Sequence, residues 1–552
     1  MIQKICTKTG QPFTVTDEEM AMRRKFGIEG EPETSPVYRF MHLGAFWQHW
    51  NLHERKCDQT GKDIISVFSK DCPYPVWHKE EWVKNADPPG ADFDDTKDVF
   101  PQMWALFQRS PIAHNMGAGN ENCEYTDDWW YSKNCYLCHS GLECEDLKYC
   151  YRTIKCKDSQ YVVFSSDCEL CVDVIYSFHC FQTIYALMCR QCSDSCFLYD
   201  CRNCQHCMFC SNLRNKEYCF FNKQLTKEEW ETKRQELDLS KRSVYEQAKK
   251  VFRNMMQKQA WYKALMNDRC ENIDGNFLDG CKNCQNCYLM TGPAEDCINS
   301  TRQGGGIRDS LDTIGAAINS ELVYCSSMAQ DQCYDNKFCY NTTQCKYAEY
   351  AAHCFQCDHI FGCCGLVGKK YYIFNKPYSP EEYEKLKSRI IQKMKQTGEY
   401  GQFFPGYFAA HPYEESWSFM YWPLMEEEQQ TYGFRLQPVH AQRIPTYKDV
   451  SSIIEDSMMA DESVAREIYW DDQAKRPFQI QKTDIAFAQQ LGVPLPYTHY
   501  ARRLQENFKW IPFSGTLRTV LCGKCHVEIK TGWPKQYEGR ILCESCYQKE
   551  VY

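Results

Sequence analysis

The chain has no long apolar run, no excess of basic charge and none of the compact motifs that mark common catalytic sites. Its first residues, MIQKICTKTG, lack the roughly seven to fifteen apolar residues of an export signal. Export is therefore not expected. The most apolar stretch, Val172 to Cys189, is broken by Asp173, Ser177, His179, Gln182 and Thr183, which a bilayer centre would reject. The chain reads as soluble and cytoplasmic, with no membrane partner. Its 64 basic and 73 acidic residues leave a net charge of −9 without long blocks of either sign, which disfavours nucleic acid as a partner. No GxSxG, HExxH, Walker loop or dinucleotide fingerprint occurs, so no catalytic residue is assigned and the balance lies against an enzyme. Gly304, Gly305 and Gly306 in RQGGGIRDS have no strand before them and no lysine after them, and read as a turn.

What the chain has is cysteine. There are 37 in 552 residues, a length that implies three or four domains at roughly 100 to 200 residues each. A disulfide framework belongs to small exported domains, so reduced thiols are expected here, either as metal ligands or as small buried groups.

Two internal offsets organise these cysteines. At 153 residues, Cys180, Cys192, Cys201, Cys204 and Cys210 fall on Cys333, Cys345, Cys354, Cys357 and Cys363, and Asn222 falls on Asn375. Each copy is followed by a capping box, Thr226 with Glu229 and Ser379 with Glu382, which predicts a long helix near 227–268 and a shorter one near 380–396. At 465 residues the chain ends match, Pro12, Phe13 and Gly27 with Pro477, Phe478 and Gly492, and Cys57 with Cys522.

The C-terminal pairs Cys522/Cys525 and Cys543/Cys546 are separated by seventeen residues, the spacing of a structural tetrahedral zinc site. Gly523 sits in the tight turn of the first pair, whose amides can serve the sulfurs. At the equivalent N-terminal positions stand Cys57, Thr60, His78 and Glu81. Thr60 is no zinc ligand, so metal is not expected there and packing by Trp77 and Trp82 is expected to replace it. Cys72 lies at no helpful spacing, and Cys6, with Thr9 at its partner position, reads as a second relic.

Between Cys123 and Cys219 every cysteine except Cys196 has a number divisible by three. Most other positions of that phase are small or apolar, including Ser159, Val162, Ser165, Val174 and Ala186. A period of three is neither helix nor plain strand. It suits a narrow solenoid of very short strands in which one residue in three points inward; a three-residue extended helix would need regular proline or glycine. On this reading the cysteines are core, Cys204→Ala costs about 1 kcal/mol, and Cys204→Ser costs more because a hydroxyl finds no partner. The alternative makes Cys201, Cys204, Cys207 and Cys210 a metal–thiolate or iron–sulfur run. His139, His179, His206 and His353 fall off the phase and read as surface residues.

The segments CTKTGQPF, RKCDQTGKDIIS, CSDSCFLYDCRNC, NLRNKEY, YYIFNKPYSPEEYEK and LCESCYQKEVY resemble an uncharacterised family of cysteine-rich proteins predicted from candidate-phylum bacterial genomes. The resemblance spans nearly the whole chain and implies no activity. It also implies that tyrosine or isoleucine replaces some array cysteines in relatives.

The expected fold is mainly β with helical insertions, a duplicated cysteine-rich β-solenoid flanked by two related zinc-ribbon-like end modules. Its parts are a degenerate zinc-ribbon-like module (1–110), solenoid copy 1 (111–225), a helical segment (226–269), solenoid copy 2 (270–377), a helix with an aromatic and acidic linker (378–470), and the zinc-ribbon module (471–552). The expected function is a zinc-binding, non-enzymatic scaffold for a protein partner. The runner-up is a nucleic-acid- or ribosome-associated binder using the ribbon and the basic helix KRSVYEQAKKVFRNMMQKQAWYK. A thiol-metal protein or enzyme comes third.

Overall fold

A computed structural model describes residues 1–48, 51–436 and 442–552. The protein is mainly β, 35% strand and 25% helix. It forms two compact units that do not follow chain order. One comprises Met1–Asn115, Leu265–Gln437 and Phe513–Arg518, the other Met116–Ala264, Pro438–Pro512 and Thr519–Tyr552.

The second unit is built on a parallel ladder with a fixed register of twelve residues. Gly117 pairs with Trp129, Trp129 with Gly141 and Gly141 with Thr153, while further on Phe181, Ser193, Gln205 and Glu217 stack in the same way. Every third residue from Asn122 to Phe221 is left-handed, with φ near +50°. Each left-handed residue turns a corner, the next points inward, and this residue and the third pair with the neighbouring rung, so twelve residues carry four corners. The inward residues are the phase that the cysteines share, and Cys135, Cys138, Cys144, Val162, Val174 and Ala186 are among those that form one buried cluster.

The narrow interior suits cysteine because its thiol has a local acceptor. Cys204, Cys207 and Cys210 donate to the carbonyls of Arg202, Gln205 and Met208 at 3.4, 3.2 and 3.2 Å. Serine fits as well. Ser195 Oγ donates to Ser193 and accepts from the amide of Cys207, and Ser159, Ser165 and Ser177 make the same two bonds. The expected penalty for a hydroxyl at an array position is thus corrected: the ladder supplies it with both a donor and an acceptor.

The first unit carries a second parallel ladder, in which the register is thirteen residues from Ala294 through Tyr334 and twelve from Tyr334 through Lys370. The extra residue sits at a corner with two successive left-handed residues, Gly305–Gly306, Ile318–Asn319 and Asp331–Gln332. The GGG run is therefore a corner, and a Cβ on Gly306 would come within 2.6 Å of Asn319 Oδ1.

Both ladders end alike. The strands Glu217–Phe220 and Lys370–Ile373 turn back on Lys223–Gln224 and Lys376–Pro377, through the left-handed pairs Phe221–Asn222 and Phe374–Asn375. Asn222 and Asn375 bond both backbone groups of the rung before, Ser211 and Cys364. The capping boxes start helices at Lys227 and Pro380 as expected. The first helix, however, breaks: Lys227–Glu236 and Arg242–Gln259 are separated where Asp238 bonds the amide and hydroxyl of Ser240. Helix ends before Tyr262–Lys263, a strand.

Two of the four histidines expected at the surface are buried. His139 faces Asp127 at 3.3 Å and stacks on Tyr151, and His353 packs against Phe68 and Tyr74. Side chains that come from elsewhere in the chain cannot be seen in local phase. The aromatic residues after 400 likewise form core, with Phe404 and Phe408 buried against Phe100 and Phe107.

In each unit a helix arginine docks on a ladder carboxylate. Arg39, on Pro36–Gly44, meets Asp312 at 3.0 Å and Glu19 at 2.8 Å. Arg503, on Tyr500–Phe508, meets Asp173 at 2.6 Å, where Tyr245 also donates at 2.6 Å. Burial raises Asp173, but Arg503 outweighs it and holds the carboxyl at about 2. Since this lies below the unfolded value of about 3.9, its contribution is present above pH 4 and lost as pH falls through 2.

Urea unfolding of Asp173→Asn beside the unaltered protein should therefore show that Asp173 supplies about 2 kcal/mol of the stability lost as pH drops from 4 to 2. Arg503→Met should reverse that slope by leaving a buried carboxylate unpaired, at a cost of about 3 kcal/mol near neutrality. In the same assay Cys204→Ala should cost about 1 kcal/mol and Cys204→Ser no more than that.

Candidate metal centre

The C-terminal site is assembled from a hairpin, Arg518–Leu521 with Glu528–Thr531, and a helix, Glu544–Val551. Cys522 and Cys525 lie in the hairpin turn, and Cys543 caps the helix with Cys546 in its first turn. The turn closes through the amide of Cys522 to Val527 at 2.9 Å and that of His526 to Cys522 at 3.1 Å. Gly523 spends its amide on Ile541 rather than on a sulfur, and a Cβ there would lie 2.1 Å from the Gly539 carbonyl. Gly523 itself serves the close approach of two backbones, while the turn amides of Lys524 and Cys525 serve the Cys522 sulfur as expected.

All four sulfurs lie within 4.8 Å of one another, with Cys525 and Cys543 at 3.7 Å. Bonds of about 2.3 Å to a tetrahedral ion would set sulfurs about 3.8 Å apart, so the donor set fits a thiolate-bound metal. Burial raises the Cys522 thiol, but the amides of Cys543, Cys525 and Lys524 outweigh it and bring it down to about 6. The thiols of Cys543 and Cys525 push Cys546 up to about 12. The four sulfurs are close enough to hold one metal ion as thiolates. Cys522 is buried and Cys525 exposed. Among the described residues this is the one group of three or more His, Cys, Asp or Glu side chains placed to share an ion.

The module is anchored from below. Ile541 and Leu542 pair in parallel with Tyr262 and Lys263, Trp533 donates to the Lys263 carbonyl at 2.8 Å, and Tyr547 accepts from Arg214 at 3.0 Å.

The N-terminal counterpart keeps the frame and changes the donors. His53–Lys56, Asp63–Ser66, Val76–Trp77 and the start of Lys79–Asn85 each lie 465 residues before their C-terminal equivalents. The amide of His78 donates to Cys57 sulfur at 3.2 Å, as that of Cys543 donates to Cys522 at 3.4 Å. Burial raises the Cys57 thiol, yet the Thr60 hydroxyl and the amides of His78, Thr60 and Gln59 hold it below its usual range. The His78 ring stacks on His114 at 4.7 Å. Trp82 is buried and donates to Pro111 at 2.9 Å, whereas Trp77 is only half-buried, so the packing falls to Trp82.

A further turn of this kind went unread in the sequence. Asp471 stands 465 residues after Cys6, and its carboxylate accepts from the amides of Gln473, Ala474 and His499 and faces Arg502 at 3.2 Å. An ion pair occupies the position equivalent to Cys6. The signal was present in the offset, hidden by a change of residue type.

Compared with protein-family models and with curated proteins, the chain matches none. Among the described residues no helix is long and apolar enough to cross a membrane.

Native mass spectrometry should find one tightly held metal ion per chain, absent in Cys543→Ser and retained in Cys57→Ser. Acidification should eject it with uptake of protons by the thiolates. Loss of an equal ion in Cys57→Ser would place a second centre in the N-terminal module.

Proposed function

We propose that the protein is a non-enzymatic scaffold that binds a protein partner along two narrow β-solenoids, with one structural zinc ion in its C-terminal ribbon module. The observation that carries this reading is the state of the ladder thiols. They share one buried inward phase with Val162, Val174 and Ala186, and the Cys204 sulfur lies 3.4 Å from the Arg202 carbonyl, so they are occupied in packing. Cys201, Cys204, Cys207 and Cys210 project inward from successive sides of the twelve-residue repeat, and among the described residues the one group placed to share an ion is the C-terminal four. Stacked four-cornered coils, repeated at an offset of 153 residues, leave long flanks as the main surface, which suits a partner with its own extended face. Zinc is the ion that four thiolates in a closed tetrahedral site best select for a structural role. The abundance of free thiols suits a reducing compartment such as the cytoplasm, and the resemblance to cysteine-rich proteins of candidate-phylum bacteria belongs to the same reading.

The nucleic-acid alternative leans on the helix Arg242–Gln259, and there the charges are spent. Lys249 is buried against Glu246, Arg242 pairs with Glu455, and Arg253 donates to Tyr185. Only part of the basic pattern remains for phosphate.

Affinity capture of the full chain from native lysate, followed by elemental analysis, tests the proposal. A proteinaceous partner that survives nuclease and one zinc per chain support it. RNA released by about 0.2 M salt, as phosphate contacts require, or several metal ions per chain, would replace it.

A further inference from the structure

The two ladders are finished at one end and open at the other. At the C-terminal ends the antiparallel returns and the following helices pack on the last rungs, and Cys219 and Cys363 there are buried. At the other ends Gly117–Ala118 and Glu271–Thr301 are the outermost strands of their sheets. Their first rungs meet solvent, with Glu121, Asn122, Glu124 and Tyr125 exposed on one and Glu271, Asn272 and Asp274 on the other. Every array cysteine is buried except two, Cys123 and Cys270, and these stand one at each open end.

Each has a second thiol directly behind it. The bridges Glu121↔Lys133 and Glu124↔Tyr136 set Cys123 in register with Cys135, and Asp268↔Asp279 sets Cys270 with Cys281. The amide of Cys281 donates to the Cys270 sulfur at 3.4 Å, and in each pair the two thiols influence one another electrostatically. Adjacent strands lie about 4.8 Å apart, within the Cα separation of about 4.4–6.8 Å that a disulfide spans.

We propose that Cys123–Cys135 and Cys270–Cys281 are thiol–disulfide exchange sites, each oxidised at the open end of its ladder by a small-molecule disulfide of the glutathione class. The Cys123 thiolate attacks one sulfur of that disulfide, forming a mixed disulfide and releasing one small thiolate, which takes up a proton. Cys135 then gives its proton to solvent and attacks the Cys123 sulfur, expelling the second small thiolate. Two protein thiols are oxidised and one disulfide is reduced to two thiols.

The electrostatics favour this order. The hydrogen bond from Cys135 is the largest influence on Cys123 and, against partial burial, brings its thiol down to about 7; Cys281 does the same for Cys270. The same bond is the chief reason that Cys135 and Cys281 are pushed up. Capping the outer sulfur removes that bond, and with it the chief influence that pushes the inner thiol up. Cys72 provides a contrast: it too is part-exposed, but burial pushes its thiol up to about 11.

The test treats the full-length, metal-loaded chain with excess oxidised glutathione at neutral pH, alkylates the remaining thiols, and maps peptides by mass. The expected result is linked Cys123–Cys135 and Cys270–Cys281 peptides, with Cys72 and Cys204 left as thiols. Cys135→Ala should instead retain glutathione on Cys123. Cys123 and Cys270 reacting no faster than Cys72, or glutathione persisting on Cys123 in the unaltered protein without a link to Cys135, would overturn the proposal.

Discussion

A left-handed residue at every third position is the constraint from which most of the molecule follows. Outside glycine, asparagine and aspartate this conformation costs about 1–2 kcal/mol per residue, and here it is held by tyrosine, phenylalanine, leucine and methionine as well. The cost is offset because each corner sets three-residue segments into parallel register, where their backbone groups pair with the next rung. The same corner leaves one inward side chain in three and little room for it. Cysteine is larger than alanine, has no strong desolvation cost, and can still reach a nearby carbonyl. The high cysteine content is therefore a packing solution repeated along a narrow interior, and among the described residues it is in the four C-terminal cysteines that the thiols are placed to hold an ion.

The end modules show the opposite economy. The hairpin frame at Cys522 recurs at Cys57, and related turns recur at Cys6 and Asp471, but four sulfurs converge at only one of the four. A tetrahedral site depends on all its ligands, so the loss of one removes most of the reason to keep the others. At Cys57 a threonine hydroxyl, stacked imidazoles and a buried indole take over; at Asp471 an arginine does. Both modules then rest on their ladders through a buried arginine and aspartate, Arg39 with Asp312 and Arg503 with Asp173. Such pairs are sensitive to the loss of either partner and so fix where a helix sits.

The cysteine phase, the offsets of 153 and 465 residues, the two capping boxes and the convergence of the four C-terminal cysteines were all legible in the chain, because each rests on a period or spacing that neighbours in sequence impose. Tertiary structure decided what depends on distant partners. Local phase assigned His139 and His353 to the surface, yet contacts with Asp127 and Tyr151, and with Phe68 and Tyr74, bury them. A hydroxyl in the array was expected to lack partners, but the amide twelve residues on, visible only once register is known, supplies one. The thirteen-residue turns, the break at Asp238, and the grouping of the chain into units out of sequence order were likewise beyond local pattern. Spacing along the chain determines which side chains share a face; which faces meet is determined by burial between segments hundreds of residues apart.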